Sequence, residues 1–352
     1  FTTFLIFGNY YCNAQEKAVS FKDLVQSTDS VSSPIYLYKG NPFSGVVSNY
    51  YENGKLASKM NLIDGKFNGL EVGYFENGNI RGKFNYKNNL PHGEYEEYYD
   101  NGNKKEKVNY NNGKIEGVAL QYYDNGNKRT EGNFKNGFKE GTQKKYHENG
   151  QLKEIENIKN GKKDGAWNAY YENGQIKESY FVLNKTRSGE YKAYYENGQL
   201  KVIGNYNESG RESGEWNYYY DNGQTKEIGN FSEIGNPIGE WKTYYSNGNL
   251  SSNGNYMNDY NSYYGYVNIN MPDFSLVDKF YSYKDGEWKM YHNNGQVQEE
   301  GIYFDGGPEG EWKGYDSKGD LINTREYLNG KPFNGLFTYD FYDGGKMIGK
   351  YL

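Results

Sequence analysis

The sequence alternates apolar and polar positions in short runs on either side of a repeated Asn-Gly pair. A representative segment is Gly165 to Phe181, GAWNAYYENGQIKESYF. Alternation with period two is typical of a β-strand with one apolar and one polar face. Asn-Gly between two such runs favours a hairpin with a two-residue type I′ turn, which places Trp167 opposite Tyr180. The other predicted pairs are Ala169 with Glu178, Tyr171 with Ile176, and Glu172 with Gln175.

This register gives the hairpin a core face and a solvated face. Because successive side chains point to opposite sides of a strand, the two faces of the hairpin differ in composition. The core face carries Trp167, Ala169, Tyr171, Ile176 and Tyr180. The solvated face carries Asn168, Tyr170, Glu172, Gln175, Lys177 and Ser179.

The hairpin pattern recurs with a period of 24 residues along nearly the whole chain. Each repeat has the Gly of its Asn-Gly turn and a second glycine, here called the repeat Gly, nine residues earlier. Repetition of one small motif is the signature of a repeat array. We therefore predict an all-β fold: an elongated meander or solenoid of about twelve 24-residue β-hairpins with Asn-Gly turns. The repeat glycines are Gly45, Gly69, Gly93, Gly117, Gly141, Gly165, Gly189, Gly214, Gly239, Gly286, Gly310 and Gly335.

One step of the series is irregular. Gly239 and Gly286 are 47 residues apart, about two periods, so residues 259–283 are either a degenerate repeat or an inserted loop. The remaining predicted segments are a signal-peptide remnant at 1–14, an N-terminal cap at 15–40, hairpin repeats at 41–258, and further repeats with a C-terminal cap at 284–352.

The tryptophans test the register within the sequence, because all five lie two residues after a repeat Gly. In the predicted register Trp216 faces Gly229, and an aromatic ring over a cross-strand glycine covers the gap that the missing side chain leaves. The same pairing is predicted for Trp241 with Gly254, Trp288 with Gly301, and Tyr191 with Gly204. We therefore assign a structural role to Trp167, Trp216, Trp241, Trp288 and Trp312.

A tyrosine recurs five residues after the repeat Gly, on the predicted solvated face. A basic cross-strand neighbour would stack on each ring and stabilise the sheet. Regularly spaced rings on a solvated surface are also suited to anchor a protein partner or to stack on sugars. The predicted neighbours are Tyr74–Arg81, Tyr98–Lys105, Tyr122–Arg129, Tyr146–Lys153, Tyr170–Lys177, Tyr194–Lys201 and Tyr219–Lys226. The candidate partner-binding residues are Tyr74, Tyr98, Tyr122, Tyr146, Tyr170, Tyr194, Tyr219, Tyr244 and Tyr291.

The first fourteen residues carry no charge and include the apolar run Phe4 to Phe7. Cys12-Asn13-Ala14 has small residues at the spacing of a signal-peptidase site, which indicates the remnant of a secretory signal. Acylation of Cys12 and an ordinary first strand are the alternatives. We expect an exported bacterial protein, located in the periplasm, at the cell surface or in the medium.

Composition and charge narrow the function classes. Hydrophobic residues make up only 35% of the chain, but aromatic residues make up 18%, which favours a folded chain over a disordered one. The formal net charge is −6, from 40 basic and 46 acidic residues. We therefore expect no overall positive potential that would attract nucleic acid. The sequence has no run of eighteen apolar residues, and we expect no membrane-spanning segment.

The residues offer no constellation typical of catalysis. His147 and His292 take a core-side position that is usually Tyr, and His92 lies in an inter-hairpin turn. Acids before the Asn-Gly turns, such as Glu172, would repeat about 9.6 Å apart in a meander, too far to share a Ca²⁺ ion. We expect no enzyme activity, no catalytic residue, no metal and no cofactor.

The pattern GEWKxYYENGQLKxxGNYxNG resembles the MORN repeat in its variant form, as found in the bacterial YwqK-family antitoxin-like repeat proteins. The resemblance covers roughly Gly45 to Gly345. It implies a meander of β-hairpins that binds or scaffolds. We expect a non-enzymatic exported scaffold that binds a protein partner through an extended aromatic sheet surface. The alternatives are a glycan-binding cell-envelope protein that uses the tyrosine series, and an antitoxin or immunity-type protein that neutralises a partner protein.

Overall fold

The computed structural model describes residues 19–27, 34–258, 282–340 and 346–351. These residues form β-strands and tight turns, with a single 3-10 turn at Phe21–Asp23 and no α-helix among them. Accordingly, the described part of the chain contains no helix with the length and apolar character needed to cross a membrane. The expected signal remnant at 1–14, Cys12 and residues 259–281 lie outside the described residues.

The chain divides into two compact units, Phe1–Gln151 with Ile158–Gly161, and Leu152–Asn157 with Lys162–Leu352. The strands of the first unit are β1 (Val19–Ser20), β2 (Val25–Gln26), β3 (Tyr36–Tyr38), β4 (Asn41–Pro42), β5 (Gly45–Tyr50), β6 (Leu56–Ile63), β7 (Lys66–Phe67), β8 (Gly69–Tyr74), β9 (Ile80–Lys87), β10 (Leu90–Tyr98), β11 (Lys104–Asn111), β12 (Lys114–Ile115), β13 (Gly117–Tyr122), β14 (Lys128–Lys135) and β15 (Phe138–Tyr146).

In the first unit, antiparallel hairpins follow one another from β5 to β15, and each is hydrogen-bonded to the next. At the start of this series β1 pairs in parallel with β5, while β2, β3 and β4 form a small sheet of their own. The Tyr36 N–H donates to the Gly65 carbonyl at 2.7 Å. The rings of Phe21 and Phe67 lie 5.4 and 5.1 Å from the Tyr36 ring. These contacts tie the residues before the first repeat to its inter-hairpin turn.

The remaining strands are β16 (Leu152–Lys159), which is divided between the two units, and β17 (Lys162–Tyr170), β18 (Ile176–Leu183), β19 (Thr186–Tyr194), β20 (Leu200–Tyr206), β21 (Glu212–Tyr219), β22 (Thr225–Phe231), β23 (Pro237–Tyr244), β24 (Leu250–Asn258), β25 (Ser282–Tyr291), β26 (Val297–Phe304), β27 (Gly307–Tyr315), β28 (Leu321–Leu328), β29 (Lys331–Asp340) and β30 (Lys346–Tyr351).

Neighbouring strands of the second unit, from β17 to β30, also pair antiparallel. β24 pairs directly with β25, and Asn258 lies opposite Ser282. The hairpins on either side of residues 259–281 are therefore direct neighbours in the sheet. The predicted fold class, an all-β array of consecutive hairpins that repeat with the sequence period, is confirmed.

The Asn-Gly turns differ from the prediction. The Tyr171 N–H donates to the Gln175 carbonyl at 2.8 Å, and the Gly174 N–H donates to the Tyr171 carbonyl at 3.0 Å. Only the glycine is left-handed, with φ of 83°. This is a three-residue loop, a type I turn followed by a left-handed glycine, so the predicted two-residue type I′ turn is wrong.

The extra turn residue shifts the pairs next to the turn by one position. Tyr170 lies opposite Ile176, so the predicted pairs Tyr171–Ile176 and Glu172–Gln175 are wrong. A bulge between Ala169 and Tyr170 absorbs the shift. Farther from the turn the predicted pairs Trp167–Tyr180 and Ala169–Glu178 are confirmed.

The two-residue turns lie at the opposite edge of the sheet, between consecutive hairpins. Lys135 lies opposite Phe138, and the intervening Asn136 and Gly137 have φ of 53° and 84°. Two left-handed central residues define a type I′ turn. The glycine tolerates this conformation because it lacks a Cβ.

The buried part of the sheet centres on the tryptophans. Each predicted pairing of an aromatic residue with a glycine is confirmed, including Trp216 opposite Gly229. The cover, however, comes from the next hairpin, because a Cβ added to Gly229 would fall within the Trp241 ring. Four of the five tryptophans, all except Trp167, thus pack over the glycine of the preceding hairpin, which links neighbouring repeats. The other such contacts are Trp216 over Gly204, Trp288 over Gly254 and Trp312 over Gly301.

Candidate binding surface

The two sides of the sheet carry different chemistry. We define the charged face by the residues one, three and five positions after each repeat Gly, such as Glu190, Lys192 and Tyr194. The aromatic face holds the residues two and four positions after it, such as Tyr191 and Ala193. This separation follows from the alternation of side chains along each strand.

The nine candidate tyrosines lie on the charged face and are all partly buried. At Tyr98 the hydroxyl donates to Glu96 Oε2 at 2.6 Å, and Lys104 Nζ contacts Glu96 Oε1 at 2.6 Å. Burial alone would raise the pKa of Glu96, but hydrogen bonds from Lys104 and Tyr98 lower it to about 2. Tyr146 donates in the same way to Glu131 at 3.1 Å.

Ion pairs recur beside these tyrosines. Lys192 contacts Glu190 at 2.7 Å, and equivalent pairs flank later members of the series. Each surface pair contributes little to stability, but together they hold the long side chains beside the rings. The other pairs are Lys242–Glu240, Lys289–Glu300 and Lys313–Glu311, each at 2.9 Å.

The predicted stacking of basic residues on the candidate tyrosines is wrong. Because of the three-residue turn, Tyr170 lies opposite Ile176 rather than Lys177. Lys177 lies instead over the ring of the following residue, Tyr171, with its ammonium 5.5 Å from the ring centroid. Equivalent contacts join Arg129 to Tyr123, Lys201 to Tyr195 and Lys226 to Tyr220. The remaining cross-strand partners are Ile80 for Tyr74, Lys104 for Tyr98, Lys128 for Tyr122, Leu200 for Tyr194 and Thr225 for Tyr219.

A second series of hydroxyls joins consecutive hairpins along the edge of the three-residue turns. The tyrosine six positions after the repeat Gly donates to the main-chain carbonyl of a candidate tyrosine in the next hairpin. We call these contacts the hydroxyl ladder. Its members are Tyr51 to Tyr74 (2.6 Å), Tyr99 to Tyr122 and Tyr123 to Tyr146 (2.9 Å), Tyr171 to Tyr194, Tyr195 to Tyr219 and Tyr220 to Tyr244 (2.8 Å), and Tyr245 to Tyr291 (2.7 Å).

The turn asparagines reinforce the hydroxyl ladder. Asn173 Oδ1 accepts the Gln175 N–H within its own turn, and Asn173 Nδ2 donates to the Glu196 carbonyl of the next turn at 2.9 Å. One side chain thus shapes its own turn and bonds to the neighbouring one. The predicted structural role of His292 fits this edge, because its Nε2 lies 2.9 Å from the Tyr315 carbonyl, where a tyrosine hydroxyl lies in other repeats.

Phe75 interrupts the hydroxyl ladder and allows a direct test. Its turn has the same hydrogen bonds as the others, but the ring has no hydroxyl for the next hairpin. Phe75→Tyr is expected to raise the free energy of unfolding by about 1 kcal/mol, measured by urea denaturation. The matched variant Tyr220→Phe removes the 2.8 Å bond to Tyr244 and should lower it by a similar amount. Unchanged stability in both variants would contradict a stabilising role for the ladder.

The aromatic face carries rings in contact with one another. In the second unit they run from Trp167 to Tyr327, with centroid distances between neighbours of 4.5 to 6.4 Å. In the first unit a shorter series joins Phe84, Tyr95 and Tyr110. Burial, with a smaller effect of nearby glutamates, raises the pKa of Tyr95 to about 12. The Tyr95 hydroxyl therefore stays protonated at neutral pH.

The described residues contain no group of three or more His, Cys, Asp or Glu side chains placed to hold a metal ion. His92 lies in β10, where its Nδ1 accepts the Asn112 N–H at 3.4 Å, so its predicted position in an inter-hairpin turn is wrong. The surface presents rings, ion pairs and amides.

Consecutive hairpins, a fixed register and hydrogen bonds between equivalent turns define a β-hairpin repeat protein. The sequence profile of the MORN repeat variant matches more than half of the chain, and the chain belongs to this family. The hairpin after Gly310 keeps the same register although it lies beyond the matched segments. The matched segments are residues 44–64, 67–88, 91–112, 115–136, 139–160, 163–184, 187–208, 212–233, 237–258 and 284–305.

No curated protein matches the chain, and the narrower YwqK-family attribution stays a prediction. Among solved structures, the chain is similar to the crystal structure of TcdB2-TccC3, with 12% identity over 86% of this chain and 18% of that chain, at a TM-score of 0.18. It is similar to the Photorhabdus luminescens Tc holotoxin pore with a mutated TccC3, with 10% identity over 87% of this chain and 16% of that chain, at a TM-score of 0.19. The chain spans less than a fifth of the length of these structures, and at such TM-scores no functional conclusion follows.

Proposed function

We propose that the chain is a non-enzymatic, exported repeat scaffold that binds an extended protein partner through the tyrosines of its charged face. The observation that carries this proposal is the recurrence of one constellation, a partly buried tyrosine beside a Lys–Glu ion pair. Tyr194 with Lys192 and Glu190 is one example, and the same arrangement recurs at later repeats.

The geometry of the charged face favours an extended ligand. Equivalent tyrosines lie two strands apart, about 9.6 Å, so one ligand can contact several repeats only if it follows the array. Tyrosine provides a large rigid ring with a polar tip, a combination enriched among residues that dominate protein interfaces. The charged face alternates lysines and glutamates. It therefore attracts a partner surface that carries both positive and negative groups, and it disfavours a partner surface whose charges all have one sign.

The proposed export of the protein is based on the sequence of residues 1–14, which has the features of a secretory signal. Export favours a partner in the cell envelope over a cytosolic toxin. The antitoxin-like alternative is distinguished by the identity of the partner, since a single toxin bound in stoichiometric amount would support it.

The test is a pulldown from the native cell envelope with the chain from Gln15 to Leu352, compared with the variant Tyr170→Ser/Tyr194→Ser/Tyr219→Ser. The hydroxyl ladder bonds to the main-chain carbonyls of Tyr194 and Tyr219 rather than to their side chains, so the fold should persist. We expect a stoichiometric protein that the wild-type chain retains and the triple variant loses.

The matched control is Tyr171→Phe/Tyr195→Phe/Tyr220→Phe, which alters neighbouring residues of the same hairpins without changing the charged-face tyrosines. It should retain the partner. Equal retention by both triple variants would contradict the proposal. Retention of envelope polysaccharide in place of protein, lost with the serine variant, would instead support the glycan-binding alternative.

A further inference from the structure

The aromatic face of the second unit contains a cation supplied by the chain itself. The guanidinium of Arg187 lies 4.6, 5.5 and 5.7 Å from the ring centroids of Tyr180, Tyr191 and Tyr206. Arg187 also contacts Glu178 at 3.2 Å. Three rings and one carboxylate thus surround one positive charge, within the distance at which ring quadrupoles attract cations.

A second cation lies farther along the same face. Lys284 Nζ is 4.2 Å from the Trp288 ring centroid and 5.0 Å from that of Tyr303. Burial lowers the pKa of its ammonium. The rings of this face therefore hold a lysine as well as an arginine.

Arg187 and Lys284 occupy the same repeat position, two residues before a repeat Gly. Along the whole chain this position is basic, apolar or proline, with one exception, Glu212. At Glu212 the charge is reversed, and Tyr206, one of the three rings around Arg187, lies opposite it. The residues at this position are Phe43, Phe67, Pro91, Ile115, Lys139, Lys163, Arg187, Glu212, Pro237, Lys284, Pro308 and Phe333.

The surroundings of Glu212 combine rings with a second carboxylate. Glu212 lies opposite Tyr206, and Glu227 lies opposite Tyr218. The Trp216 ring, which is only 2% exposed, packs against both Tyr206 and Tyr218, with centroid distances of 5.2 and 6.2 Å. These five residues, Tyr206, Glu212, Trp216, Tyr218 and Glu227, are here called the carboxylate cage.

Neither carboxylate of the carboxylate cage has an ion-pair partner in the part of the chain that the structure describes. Lys226 lowers the pKa of Glu227 by less than burial raises it, and the Lys226 ammonium lies over the Tyr220 ring. Burial raises the pKa of both Glu212 and Glu227, because desolvation disfavours the charged form. An incoming cation would compensate this cost, as Arg187 does for Glu178.

We propose that the carboxylate cage binds a basic side chain, arginine in preference to lysine, from a partner protein. Arg187 provides the precedent, since its guanidinium is held on the same face by three tyrosine rings and one glutamate. A planar guanidinium stacks on rings and bonds to carboxylates with both edges. This site lies on the opposite face from the tyrosines of the proposed function and stands independently of them.

The test uses an acetylated, fluorescein-labelled tetra-arginine amide as the probe and measures its anisotropy with the full chain at about 0.15 M salt, where distant charges are screened. Wild-type protein should bind the probe, and Glu212→Gln/Glu227→Gln should weaken binding by about tenfold, which corresponds to about 1.4 kcal/mol. Glu212→Arg should weaken it at least as much, because the new side chain would fill the carboxylate cage as Arg187 fills its own.

The matched control is Glu215→Gln/Asp221→Asn, which removes the same charge from the charged face and the turn of the same hairpin. Its affinity for the probe should stay within about twofold of wild type, since only screened charge is lost. Equal weakening by both double variants would show general attraction to an acidic protein and would overturn the proposal. Unchanged binding by Glu212→Gln/Glu227→Gln would overturn it as well, and the tryptophan near-ultraviolet circular dichroism verifies that each variant is folded.

Discussion

Replacing Trp216 with alanine is expected to lower the free energy of unfolding by about 4 kcal/mol. The side chain is only 2% exposed, and its ring contacts Tyr191, Tyr206 and Phe231 at centroid distances of 5.6, 5.2 and 6.0 Å. Its Nε1 donates to the Asn205 carbonyl at 3.3 Å. Alanine would leave the space of the indole ring empty, and it would also expose Gly204, which that ring covers.

Urea denaturation followed by circular dichroism measures this loss, and hydrogen exchange locates it. In a repeat array each hairpin contacts mainly its neighbours, so faster exchange should be confined to the hairpins around Trp216. Trp167→Ala is the comparison. Because Trp167 is only partly buried, this substitution should lower the free energy of unfolding by about 2 kcal/mol. A larger loss at Trp167 than at Trp216 would contradict the assigned core.

Replacing Gly229 with alanine is expected to lower the free energy of unfolding by about 3 kcal/mol. The added Cβ would fall within the Trp241 ring. That ring has little room to move, because Phe231 and Tyr256 pack against it at 5.2 and 5.7 Å. This loss of stability comes from overlap of the new Cβ with the ring. Backbone strain does not contribute, since Gly229 is not among the residues with positive φ.

The double variant Gly229→Ala/Trp241→Ala identifies the cause. If the clash dominates, the double variant should lose clearly less free energy than the two single variants together, because alanine then fills space that the tryptophan left. Additive losses, measured by the same urea denaturation, would show that Gly229 and Trp241 do not interact. The coupling would then have to be sought between Gly229 and its cross-strand partner Trp216.

The sequence predicts most of the fold because the period and the alternation leave one consistent register. The pairing of Trp167 with Tyr180 follows from strand alternation alone, and it is confirmed. The turn could not be predicted in detail, because Asn-Gly suits both a type I′ turn and the left-handed end of a three-residue loop. That one-residue difference is what moved Lys177 from Tyr170 to Tyr171.

The candidate surface was predictable in part. The alternation places the tyrosine series on the polar side, and the structure shows these residues there among ion pairs. The hydroxyl ladder was not predictable, because it joins atoms of different hairpins whose distance depends on the turn. Arg187 was missed although a signal was present, namely a basic residue two positions before a repeat Gly.

The bond from Tyr245 to Tyr291 spans 46 residues, whereas the equivalent bond from Tyr220 to Tyr244 spans 24, and their lengths are 2.7 and 2.8 Å. The hydrogen bond between two neighbouring hairpins thus forms whether 24 or 46 residues separate its donor from its acceptor. Seven hairpins donate an equivalent tyrosine hydroxyl to a main-chain carbonyl of the hairpin that follows. An array joined in this way can gain or lose whole hairpins, or accept inserted segments at its inter-hairpin turns, while the remaining hairpins keep their hydrogen bonds to one another.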